Sequence, residues 1–158
     1  MSGELCLRNH QRVQPVDLRL LRRIIRHILA ERLRLADFDL TVHLVNADEM
    51  ARLNQTYMQH AGSTDVITLD YGGAADKSVT GEIFVCMDEA MLQARRFKAT
   101  WQEELLRYVI HGVLHLQGHD DTSDGPRKIM KREEARRLRE AGRDFHLRKL
   151  RRKPTVGM

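Results

Sequence analysis

The chain has 158 residues, enough for one domain with a real core and short for two. It is 42% hydrophobic and 31% charged with a formal net charge of +5. No apolar run approaches the roughly 18 residues of a membrane span, so no membrane partner is expected and a polyanion such as RNA is favoured.

Aromatic residues make up 5%, which leaves the core to Leu, Ile, Val, Met and Ala. The opening stretch MSGELCLRNHQ has neither the basic start nor the apolar run of a secretory signal. Two cysteines, Cys6 and Cys86, are too few for a disulfide framework and read as buried thiols in a reducing cytosol. A cytoplasmic protein is expected. Basic residues cluster at the two ends: Arg8, Arg12, Arg19, Arg22, Arg23 and Arg26, then Arg143, Arg148, Lys149, Arg151, Arg152 and Lys153. Each cluster reads either as a solvated surface or as a contact for a polyanion.

The first element is a strand over residues 4–9. Pro15 then suits the first turn of a helix whose Leu18, Leu21, Ile25, Ile28 or Leu29, and Leu33 fall at helical spacing. The stretch FDLTVHLVN (38–46) alternates as a strand with one buried face. Asn46 and Glu49 form a capping box for a short helix reaching about Tyr57. STDVITLDY (63–71) is β-branched and ends at Gly72-Gly73, which predicts a strand and a loop. TGEIFVCM (80–87) is the next strand, and Asp88 reads as the cap of a helix to about Lys98.

Thr100 and Glu103 make a second capping box, opening a helix over 100–118. That helix is apolar on most sides and therefore buried. Gly118 suits its left-handed end. A last, exposed helix runs over 124–142. Strands early and helices late predict an α+β domain. The fold expected is a single compact domain, 1–142, with a mixed β-sheet of about four strands packed by helices and a buried metal-bearing helix. Residues 143–158 are expected to form a basic C-terminal tail.

Chemistry concentrates in HGVLHLQGHDD (111–121). His111 and His115 are four apart, so both imidazoles leave one helix face one turn apart. That spacing lets two ring nitrogens reach one ion, as in zinc hydrolases. After Gly118 the chain can return a third ligand. Asp121 holds that slot, with His119 as a rival. Three ligands and an open position describe a catalytic zinc rather than a closed structural one. In zinc peptidases the second motif position is a glutamate that acts as base. Here it is Gly112, which transfers no proton, so a peptidase is disfavoured.

With these residues in view, the sequence resembles the YbeY family of metal-dependent, single-strand-specific rRNA-maturation endoribonucleases. The family signature is His-Gly-x-Leu-His-Leu-x-Gly-Tyr-Asp-His. His111, Gly112, Leu114, His115, Leu116, Gly118 and Asp120 stand in the matching places. LNQTYMQHAGSTDVITLD (53–70) and GEIFVC (81–86) are similar to two further family segments, and the likeness runs over roughly 38–140. The resemblance implies a compact α+β domain and one Zn2+ ion held by His111, His115 and Asp121. It also implies processing of the 3′ end of small-subunit rRNA, ribosome quality control, and ribosomal RNA and the small ribosomal subunit as partners.

The chain departs from the family in three places. Asp121 stands where histidine is usual, and His119 replaces the signature tyrosine. Met58 follows Tyr57 where the family has an arginine able to clamp phosphate, a task that would pass to His60 or to arginines elsewhere. Thr64-Asp65 reads equally as a strand-entry cap or as support for a ligand histidine. An RNA-binding assembly factor that keeps the metal without cutting is the alternative function.

Overall fold

The computed structural model describes residues 3–58, 64–72 and 77–152, the side chain of Met58 excepted. Strands β1 (Gly3–Asn9), β2 (Asp37–Val45), β3 (Val66–Asp70) and β4 (Ser78–Cys86) form one mixed sheet in the order β1-β2-β4-β3. β1, β2 and β4 run parallel, and β3 lies antiparallel at the edge. With the helices this is the expected single α+β domain.

Period-two alternation divides the sheet between two cores. Along β4, Ile83 and Val85 belong to the main core, whereas Phe84 and Cys86 belong to a smaller one. Helix α1 (Leu18–His27) and helix α4 (Trp101–Leu116) pack into the main core. Helix α2 (Ala47–Leu53) brings Met50 into the smaller core beside Ile67 and Phe84. Helix α3 (Met87–Arg96) follows β4 directly, and α5 (Asp124–Asp144) packs against α4.

The apolar pattern of α4 translates into burial. Leu105, Leu106, Val109, Ile110, Val113 and Leu114 are all buried, on nearly every side of the helix. Gly112 explains how α4 sits so close to β4. A Cβ there would come within 2.7 Å of Ile83 Cδ1 and 2.9 Å of its Cγ1.

Two expected caps differ. Pro15 lies outside α1, because Asp17 caps the helix by accepting the Leu20 N–H at 3.1 Å. Asp88 is not the cap of α3, which begins at Met87 with no residue between it and β4. Its carboxylate accepts the Ala47 N–H at 2.5 Å instead, satisfying the start of α2. The caps at Asn46 and Thr100 form as expected. Cys86 is buried, but Cys6 is only half-buried, and neither is in a disulfide.

α5 continues two residues past Gly142 to Asp144. Within the basic C-terminal segment, Leu147–Leu150 form a 3-10 turn, Leu150 is fully buried and Arg151 bridges Val16. Lys153 lies outside the described residues. Among those residues no helix is long and apolar enough to cross a membrane.

Candidate metal centre

α4 ends in a Schellman turn. Gly118 takes φ 97°, its N–H donates to the His115 carbonyl at 2.9 Å, and the His119 N–H donates to the Leu114 carbonyl at 3.0 Å. The next residues are fixed by Asp120, which accepts the Thr122 N–H at 2.9 Å and the Thr122 hydroxyl at 2.8 Å. These bonds hold the Asp120 carboxyl below its ordinary value. The chain is thereby turned back so that Asp121 faces the histidines.

His111 Nε2 lies 3.5 Å from Asp121 Oδ2, and His115 Nε2 lies 3.5 Å from Asp121 Oδ1. One ligand atom from each residue falls within 4.8 Å of the other two. With metal–ligand bonds of about 2.0–2.1 Å, tetrahedral neighbours stand roughly 3.3 Å apart. The two 3.5 Å separations are close to that spacing, and the whole set, within 4.8 Å, could hold one small cation. His119 does not join them: it is absent from the cluster that Asp121 completes.

A carboxylate stands behind the first ligand. Glu134 of α5 is 8% exposed, and its Oε2 accepts from His111 Nδ1 at 2.6 Å. A carboxylate only accepts, so Nδ1 carries the proton and Nε2 of the neutral ring is free to ligate. Burial alone would lower the His111 pKa. The hydrogen bond and charge of Glu134, with Asp121 and Asp65 nearby, outweigh burial and hold it above its ordinary value. Arg127 steadies the third candidate ligand by donating from Nε to the Asp121 carbonyl at 3.0 Å.

The cluster opens on a cleft of about 440 Å3 walled by Thr64, Asp65, Thr68 and Asp70 from the β3 side and by His111, His115 and Asp121 from the other. Asp65 Oδ1 accepts the Val66 N–H at 2.8 Å, which is the strand-entry cap. Glu134 supplies the hydrogen bond behind the candidate ligand His111. The side chain of Met58, and the whole of His60, lie outside the described residues. Gly112 faces Ile83, so a glutamate at that position would meet the sheet rather than a substrate.

Glu134 is the residue that the motif reading missed. It is 23 residues from His111, in a helix whose composition is that of a solvated surface. One signal was available. Met130, Glu134 and Leu138 recur at i, i+4, i+8 on the buried face of α5, and a glutamate in that row calls for a buried partner.

The family model described as Endoribonuclease YbeY matches residues 7–142. An endoribonuclease YbeY of Salinibacter ruber is 33% identical over 129 residues, covering 77% of this chain and 81% of that protein. That of Parabacteroides distasonis is 35% identical over 100 residues, 63% of this chain and 69% of that one. The solution structure of TM1509 from Thermotoga maritima superposes with a TM-score of 0.66 at 24% identity, over 98% of this chain and 99% of that one. That structural likeness concerns the fold. The sequence match runs from the end of β1 into the last turn of α5 and includes all three candidate ligands, and on it the chain belongs to the YbeY family of endoribonucleases.

Proposed function

We propose that the chain is a zinc-dependent endoribonuclease. Its substrate is single-stranded precursor RNA of the ribosome, at the 3′ end of the small-subunit RNA, and its role extends to ribosome quality control in the cytoplasm. The observation that carries this reading is the convergence of His111 Nε2, His115 Nε2 and the Asp121 carboxylate beside an open cleft. It is joined by the family membership, whose relatives are named endoribonucleases. Two imidazoles and one carboxylate are a donor set suited to zinc, and three protein ligands leave a position for substrate or water.

When bound, such an ion polarises a phosphoryl oxygen and lowers the pKa of water to near neutrality. The protein's own groups do the rest. His111 and His115 would hold the ion from one face of α4. Glu134 keeps the His111 ring in its tautomer and orientation. Asp121 completes the set from the turn that Gly118 makes possible. Gly112 leaves no side chain in the place where a peptidase carries its base.

The test is cleavage of a single-stranded RNA and of its duplex by zinc-loaded protein, beside His115→Ala prepared identically. Cleavage of the single strand by the wild type alone is expected. Equal cleavage by both proteins assigns the activity to a contaminant. RNA binding without cleavage by the wild type would favour the assembly-factor reading.

A further inference from the structure

We infer that Lys131 is the cation that seats an RNA phosphate beside the metal centre, an assignment that rests on the endoribonuclease reading. The β3 wall of the cleft repels a polyanion: Asp65 and Asp70 line it, and Asp121 adds a third carboxylate. A phosphodiester therefore needs positive charge from another side. That side is α5.

Arg127, Met130, Lys131 and Glu134 follow one another at i, i+3, i+4 and i+7, one face of the helix. Together with His111 and Asp121 they line a recess of about 100 Å3. Among the described residues that line this recess and the adjoining cleft, Arg127 and Lys131 are the cations.

The four α5 residues divide their tasks. Met130 is buried in the core. Glu134 is engaged by His111. Arg127 is held by the Asp121 carbonyl and, at 3.3 Å, by Asp124, which makes it a positioning residue for the third ligand. Lys131 is exposed, and no described carboxylate pairs with it. An unpaired ammonium at the rim of an acidic cleft can take a phosphate without first breaking an ion pair. Single-stranded RNA accordingly crosses the centre along the α5 rim and not along β3.

The experiment measures equilibrium binding of a labelled single-stranded RNA to the full-length, zinc-loaded chain as salt is raised. Wild type is compared with Lys131→Gln, Lys131→Arg and Lys98→Gln. Lys98 is exposed and precedes the first turn of α4, so ten helical residues, about 15 Å, separate that end from His111.

Lys131→Gln is expected to weaken binding several-fold and to lower the slope of log affinity against log salt by about 0.7, the share of one phosphate on a single strand. Its zinc content should stay at the wild-type level, which separates loss of a phosphate contact from damage to the site. Lys131→Arg should retain wild-type affinity and slope, and Lys98→Gln should change neither. Wild-type affinity and slope in Lys131→Gln would overturn the assignment alone. Failure of the wild type to bind single-stranded RNA would overturn it together with the endoribonuclease reading.

Discussion

His111 Nδ1 donates to Glu134 Oε2 at 2.6 Å, which ties the first candidate ligand on α4 to a buried carboxylate on α5. The bond fixes which nitrogen carries the proton and which way the ring faces. It also couples the candidate metal centre to the packing of α5.

Removing that support should be felt in metal affinity. Glu134→Gln keeps the size of the side chain but presents an amide that does not require Nδ1 to be the donor. Zinc affinity should fall roughly 10–100-fold, the range for partners behind a ligand histidine. Competition against a coloured zinc chelator measures it. Unchanged affinity would mean that Glu134 serves folding only.

Gly112 gives a prediction about stability. The Cβ of Gly112→Ala would press on three atoms of Ile83, which is fully buried and has no room to retreat. Overpacking of this kind costs about 1–3 kcal/mol. Ile83→Val removes Cδ1, the atom met at 2.7 Å, so the double variant should recover part of the loss. Urea unfolding of the two single variants and the double variant tests the coupling, and strict additivity would refute it.

Asp144 gives one about pH. It accepts from Arg32 Nε at 2.9 Å and Nη2 at 2.7 Å, and lies 3.0 Å from His27 Nε2, which pins the end of α5 to the end of α1 and to the helical turn Ile28–Arg32 that continues it. The Arg32 bonds, helped by His27, hold its carboxyl below the ordinary value of 3.8. A depressed native pKa contributes stability that is fully present above the unfolded value and is lost as pH falls through the native one. Thermal unfolding of wild type and Asp144→Asn should therefore differ at neutral pH and converge in acid. A gap that persists below the native pKa would contradict this.

Much of the site was legible because its signals are local. Thr100 and Glu103 mark the start of α4, the histidine spacing marks its face, and Gly118 marks its end. A strand's alternation is equally local, so the four strands were found within a few residues of their bounds. What escaped depends on contacts distant in sequence. Glu134 reaches His111 across 23 residues, from α5 to α4. Asp88 has the residue type of a cap for its own helix, yet it caps α2, 41 residues earlier, because α3 starts directly off β4. Pro15 fits a first helical turn, but Asp17 captures that role by bonding Leu20.

The central claim is that His111, His115 and Asp121 hold one metal ion. Elemental analysis of wild type, Asp121→Ala and His119→Ala, purified alike, tests it most directly. One equivalent of metal in wild type and in His119→Ala, with little or none in Asp121→Ala, is the expected result. Metal kept by Asp121→Ala and lost from His119→Ala would contradict it.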